Sequence, residues 1–220
     1  GDPGARQRPV NAPVTAAGFA SVVLDVDSTL CGIEGIDWLS DLRGGTTGAR
    51  VAELTDRAMR GELPLHAVYG ERLALVHPSR DEVAALSRAY LAALAPGAPE
   101  AIRRLQDAGR RVVLVSGGVR EAIVPVAARL GIAESDVHAV SVGFAADGSF
   151  AGHDADSPLT TSDGKGAVVA SLALPRRILA VGDGATDVAR RPAADLFAAF
   201  TGFVHRAAIV AAADCTLDSF

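Results

Sequence analysis

Cysteine, methionine and aromatic residues are scarce in this chain of 220 residues: Cys 2, Met 1, Trp 1, Tyr 2 and Phe 7. Cys31 and Cys215 do not suggest a disulfide framework, and a reduced, cytoplasmic setting is compatible with them. Basic runs are absent and the formal net charge is −5, which argues against nucleic acid or an anionic membrane as the main partner. No apolar stretch approaches the roughly 20 residues that a bilayer-spanning helix needs. Trp38 and the histidines show no metal-ligand spacing. There is no internal repeat. What the chain does have is apolar material, 49% of its residues, enough for one sizeable domain or a core domain with an insertion. Residues 1–18 carry Pro3, Pro9 and Pro13 among Gly and Ala and read as a flexible leader. The chain opens on Gly rather than Met, which leaves a removed targeting segment open.

Three apolar runs end in polar residues of a particular kind. Val22-Val23-Leu24 leads into Asp25-Val26-Asp27-Ser28-Thr29, Val112-Val113-Leu114-Val115 into Ser116-Gly117-Gly118, and Ile178-Leu179-Ala180-Val181 into Gly182-Asp183-Gly184-Ala185-Thr186-Asp187. Short β-branched runs bounded by turn residues predict strands buried on both faces. Helical patterns between them, such as Ala101, Ile102, Leu105 and Ala108, predict an α/β fold with a parallel sheet. The polar breaks then gather at one sheet edge, where α/β proteins bind ligands. Unit charges at about 4 Å repel by about 4 kcal/mol at an effective dielectric near 20, so paired acids there point to a hard divalent cation. Turn formation alone accounts for one Asp-x-Asp-Ser-Thr, not for three convergent breaks.

Lys165 precedes the apolar helical run Ala167–Leu174. A helix start disfavours a cation, so this lysine is expected to reach an anion, phosphate being the natural one. Ser116-Gly117-Gly118 offers a hydroxyl and backbone N–H groups to the same ligand. The segment Gly182–Asp187 ends in Asp, which a dinucleotide fingerprint does not allow, and it lacks the spacing of a calcium loop. Cys31 reads as a small buried hydrophobe rather than a reactive thiol.

From about 33 to 94 no comparable strand occurs, and the segment reads as helices rich in Ala, Leu and Arg. The predicted organisation is a core of residues 19–32 and 96–220 with a helical insertion, 33–95, after the first strand. Between Val137 and Gly152, alternation about Asp147-Gly148 predicts a hairpin. In the insertion, Leu65, Val68, Tyr69, Arg72, Leu73 and Val76 share one helical face. An arginine on an apolar stripe either reaches an anion, snorkels or pairs with a nearby Glu.

Together, Asp25–Thr29, Ser116-Gly117-Gly118, Lys165 and Gly182–Asp187 resemble the four motifs of the haloacid dehalogenase superfamily, in the version of its phosphoserine phosphatase branch. The likeness extends through Glu34-Gly35-Ile36-Asp37, Arg57-Ala58-Met59, Glu71–Leu75 and Pro78-Ser79-Arg80. It implies a Rossmann-like core with a helical cap and Mg²⁺-dependent hydrolysis of O-phospho-L-serine through an aspartyl phosphate. Asp25, Asp27, Ser116 and Lys165 would be catalytic, with Asp25 the nucleophile and Asp27 the proton donor and acceptor. The metal would take Asp25, the Asp27 carbonyl and Asp183, with Asp187 in support. Glu34, Met59, Arg72, Ser116, Gly117, Gly118, Lys165 and Thr186 would bind substrate, Glu34 taking the ammonium and Arg72 the carboxylate; Thr186 could equally cap a helix.

Two departures bear on selectivity: Arg60 follows Met59 where a small residue is common, and Phe200-Thr201-Gly202 replaces a more glycine-rich run. The alternatives are a phosphatase or phosphotransferase for another small phosphomonoester, such as phosphohomoserine, and a catalytically silent module binding a phosphorylated metabolite. The oligomer is read as monomer or homodimer.

Overall fold

Strand β1, Ser21–Leu24, is buried along its whole length, and its Val-Val-Leu core explains why: each side chain removed from water contributes about 1.5–3 kcal/mol. The structure, a computed structural model, describes residues 18–59, 63 and 65–220, without the side chains of Thr55, Asp56, Ala58, Met59, Leu65 and His66. The expected leader lies outside these residues except for Gly18.

Beside β1 lie β2, Arg111–Val119, and β6, Ile178–Gly182, both parallel to it. The full sheet adds β3 (Val137–Val140), β7 (Leu196–Phe200) and β8 (Cys215–Leu217) in the order β3-β2-β1-β6-β7-β8, and every pairing in it is parallel. The expected α/β class is therefore observed, and the three strands singled out in the sequence are the central neighbours. Helices α5 (Ala98–Asp107), α6 (Arg120–Arg129), α7 (Gly164–Ser171), α8 (Ala185–Val188) and α9 (Ala207–Ala212) alternate with the strands. Pro99 in the first turn of α5 and the left-handed Gly97 before it fix that helix start.

Between β1 and β2 come α1 (Gly35–Asp41), α2 (Gly45–Met59), α3 (Leu65–Val76) and α4 (Arg80–Ala92) before α5. The segment leaves and returns through one point: the Gly32 amide donates to Ala93 O at 2.8 Å and the Ala95 amide to Leu30 O at 2.9 Å. Residues 142–153 form the hairpin of β4 (Val142–Phe144) and β5 (Phe150–His153), with Gly148 at φ 85° in its turn. The alternating pattern began at Val137, but residues 137–140 instead extend the main sheet as β3, because their partner is β2. A second difference concerns Ser116-Gly117-Gly118: β2 does not stop there but runs on to Val119 with a register shift after Val115. A bulge of this kind re-aims side chains without ending the strand.

Candidate active site

Asp25 is the first residue beyond β1 and Asp183 the first beyond β6, so neighbouring strand ends present both acids. Asp25 is 4% exposed; its Oδ1 accepts from the Val26 amide at 2.8 Å and its Oδ2 lies 2.7 Å from Lys165 Nζ. Burial first, then Asp187, raise the Asp25 carboxyl well above its ordinary pKa, with Lys165 and Arg190 opposing. Lys165 is the second residue of α7 and is buried. The anions it reaches are Asp25 and, also at 2.7 Å, Asp187 Oδ1. Burial pulls the ammonium pKa down, but Asp187 and Asp25 outweigh it and the group ends above its usual range.

Asp187 on α8 is tied on every side. Oδ1 also meets Arg190 Nη2 at 2.8 Å, and Oδ2 accepts from the Gly184 amide at 2.9 Å. Burial raises its pKa, yet Lys165 and Arg190 prevail and hold it below the normal carboxylate range. Because Gly184 is the N-cap, Thr186 does not cap α8 and stands half-buried in its first turn. A side chain at Gly182 would run into Asp187 and Arg190, so only glycine lets this pair close against β6.

Asp27 Oδ1 accepts from the Tyr90 hydroxyl at 2.6 Å and the Gly35 amide at 2.9 Å. Burial and the charge of Glu34 push its pKa up to about 7. Ser28, the residue after Asp27, adopts φ 51°, a left-handed conformation that costs a non-glycine residue about 1–2 kcal/mol, and its hydroxyl donates to Glu34 Oε1 at 2.6 Å. From β2, the buried Ser116 Oγ accepts from the Gly118 amide at 3.0 Å. A Cβ on Gly118 would lie 2.9 Å from Asp27 Oδ2 and 3.2 Å from Ser116 Oγ, so the backbone comes up against the acid only because Gly118 is bare. Gly117 is adjacent in the same bulge.

Asp183 Oδ1 accepts from the Thr29 hydroxyl at 3.2 Å, and Oδ2 pairs with Arg206. Burial and Asp187 raise its pKa, with Arg206 opposing. Oxygens of Asp25, Asp183 and Asp187 lie within 4.8 Å of one another. Buried hard carboxylates, two of them with raised pKa, suit a hard divalent cation. At Asp187 the neighbouring Lys165 and Arg190 outweigh burial, whereas the carboxyls of Asp25 and Asp183 stay raised despite their partners, so Asp25 and Asp183 are the better ligands.

Arg72 is mostly buried on α3 and its Nη2 pairs with Asp37 of α1. Among the open readings for this arginine, the partner in this structure is thus an acid, and an aspartate. Glu34 is exposed at the start of α1. Met59 ends α2, but its side chain, like the whole of Arg60, lies outside the described residues. Sequence reasoning missed Tyr90, Arg190 and Arg206, and it gave no role to Thr29 and Asp37, which lie inside the motif segments. Arg190 had a local signal, since it stands three residues after Asp187, where helical side chains meet. Tyr90 had none, because helix packing brings it to Asp27. Cys31 is buried, and burial raises its thiol pKa, as expected of an inert core cysteine.

The ends of the central parallel strands deliver Asp25 and Asp27, the serine–glycine bulge and Asp183, and helices α7 and α8 add Lys165 and Asp187, which is the arrangement of a haloacid dehalogenase-like hydrolase. The model of that family matches residues 22–189, and the chain belongs to it. Within that class it belongs to the phosphoserine phosphatase family. It is 42% identical over 189 residues to the phosphoserine phosphatase of Rattus norvegicus, covering 84% of this chain and 83% of the relative. With the chloroplastic phosphoserine phosphatase of Arabidopsis thaliana it shares 38% over 205 residues, 91% of this chain and 69% of that one. Among solved structures, a phospho-aspartyl intermediate analogue of phosphoserine phosphatase superposes with TM-score 0.73 at 26% identity, over 91% of this chain and 93% of that one. A substrate-bound phosphoserine phosphatase complex gives 0.72 at 25%, over the same shares.

Proposed function

We propose that this chain is a Mg²⁺-dependent phosphoserine phosphatase that converts O-phospho-L-serine and water to L-serine and phosphate. The observation that carries this reading is Lys165 Nζ held 2.7 Å from both Asp25 and Asp187, beside an Asp27 carboxyl with a pKa of about 7. Asp25 attacks phosphorus and its Oδ forms the new P–O bond as the ester bond breaks. Asp27 gives its proton to the departing serine oxygen. It then takes a proton from the water that cleaves the aspartyl phosphate, which returns Asp25. Lys165, the Ser116 hydroxyl, the Gly117 amide and, on leaving Ser116 Oγ, the Gly118 amide meet the phosphoryl oxygens, with Thr186 as a further donor. Asp187 keeps Lys165 in place.

The residues that would hold Mg²⁺ are Asp25, Asp183 and the Asp27 main-chain carbonyl. When bound, it supplies positive charge against the phosphoryl oxygens. Arg190 and Arg206 join Lys165 as cations near the four aspartates, so the protein itself offsets more of their charge than Lys165 alone. Glu34 receives the substrate ammonium and Arg72 its carboxylate, with Met59 bounding the substrate. Helices α1–α4 act as a cap, residues 33–95, over a core of 19–32 and 96–220. The substrate is a small molecule handled without nucleic acid or membrane, by a monomer or homodimer. No helix among the described residues is long and apolar enough to cross a membrane, and two free cysteines support a reduced compartment such as the cytoplasm.

The test is phosphate release with Mg²⁺ from O-phospho-L-serine, phosphohomoserine, phosphoethanolamine and p-nitrophenyl phosphate. Preference for phosphoserine is expected, and Asp25→Asn should lower turnover by at least about 10³-fold. Activity mainly on the other esters would keep the chemistry and overturn the substrate. Substantial turnover by Asp25→Asn would remove the nucleophile.

A further inference from the structure

Among the described residues, two polar atoms buried on α3 have no hydrogen-bond partner: the Tyr69 hydroxyl and Arg72 Nε. A buried donor left unpaired bears its full desolvation cost, so each needs an explanation. Positions 69 and 72 are one helical turn apart and face the same way. Tyr69 is 5% exposed, and its ring rests against His153 with centroids 5.6 Å apart. Packed in this way, the hydroxyl cannot turn out to water.

The surroundings say what would satisfy it. After burial, Asp27 and Glu121 raise the phenol pKa, and Arg72 opposes them. The group therefore stays protonated, in the field of both the reacting acid and Arg72. The Arg72 fork is anchored through Nη2 by Asp37, while Nε is buried beside it without a partner among the described residues. An O–H and an N–H from one helix face, next to a fixed positive charge, suit an acceptor with several lone pairs and a negative charge. The phosphate has its own cation in Lys165, at the strand ends. The other anionic group of a phosphorylated amino acid is its carboxylate.

We infer that Tyr69 is a specificity-determining residue, whose hydroxyl donates together with Arg72 Nε to the substrate carboxylate while Asp37 holds the guanidinium. The inference rests on the amino-acid ester proposed above. Removing the hydroxyl then weakens binding only of esters that carry a carboxylate, because a site built to hydrogen-bond a group discriminates by that bond.

The experiment is Tyr69→Phe, which keeps the ring against His153, assayed on O-phospho-L-serine and on phosphoethanolamine, which lacks the carboxylate. KM for phosphoserine should rise about tenfold with kcat little changed, and KM for phosphoethanolamine should stay put, so that the preference contracts by the same factor. The thermal midpoint should not fall, since no bond within the protein is lost. Parallel losses on both esters, or a lower midpoint with an unchanged preference, would assign Tyr69 to packing and overturn the inference. So would an unchanged preference at full activity. Wild-type protein that releases no phosphate from phosphoserine but does so from other esters would overturn the parent reading, and the carboxylate role with it.

Discussion

The Asp27 carboxyl, pushed up to about 7 by burial and by Glu34, has hydrogen bonds from Tyr90 and Gly35 that restrain the shift. In the proposed role of proton donor to the leaving oxygen it would work in the protonated form, so kcat/KM should fall as pH rises through that pKa. Glu34→Gln removes the second raising influence, and the fall should move to lower pH whatever happens to its height. A pH profile of kcat/KM for both proteins checks this, and an unmoved limb would detach Glu34 from Asp27. Legibility at this scale followed locality. Asp25, Asp27, Ser116, Lys165, Asp183 and Asp187 could be picked out because each sits where a strand or helix pattern breaks. Tyr90 reaches Asp27 across 63 positions of sequence, and Asp37 meets Arg72 through which helix faces which, information that no local pattern carries.

Helix α4 starts from a full capping box, in which Ser79 accepts from the Glu82 amide and Glu82 from the Ser79 amide. The same Glu82 takes both Nη atoms of Arg43, each at 2.6 Å, and Arg43 Nε donates to Val76 O at 2.6 Å. One arginine thereby joins the segment after α1 to the end of α3 and the start of α4. Its hydrogen bonds are the main reason that the Glu82 pKa is lowered to about 2 from 4.5. A depressed folded-state value means that the contribution is present above about 4.5 and is lost as pH falls toward about 2. Since both side chains are about one-quarter exposed, Glu82→Gln should cost only about 1–2 kcal/mol at neutral pH. Denaturant unfolding of both proteins at neutral pH and again at acid pH should show that difference shrinking in acid. A difference that does not shrink would mean that the charge of Glu82 is not what stabilises, since glutamine keeps the cap acceptor. The helical character of this region was legible because its apolar residues recur at helical spacing. Its cross-links were not, as Arg43 has no local pattern that marks Glu82 as its partner.

At the scale of the molecule, the parallel class could be read from strand–helix alternation, but the order β3-β2-β1-β6-β7-β8 could not, because nothing in a buried β-branched run names its neighbour. That order decides the chemistry. Only because β6 pairs with β1 do Asp25 and Asp183 converge, and burying both is unfavourable without a compensating cation, as their raised pKa values indicate. A metal that binds the folded site and not the unfolded chain stabilises by RT ln(1 + [L]/Kd), about 2.7 kcal/mol at a hundredfold excess over Kd. For a chain of this size each kcal/mol moves the midpoint by about 2–4 °C, so saturating Mg²⁺ should raise it by about 5–10 °C and a chelator should reverse the gain. Asp183→Asn should lose most of this response. The variant also breaks the pair with Arg206, so the informative quantity is the difference between metal-loaded and metal-free midpoints within each protein, not the midpoint itself. An undiminished response in Asp183→Asn would place the cation away from the junction of β1 and β6 and would leave the convergence of these acids to be explained by Lys165 beside Asp25 and Arg206 beside Asp183.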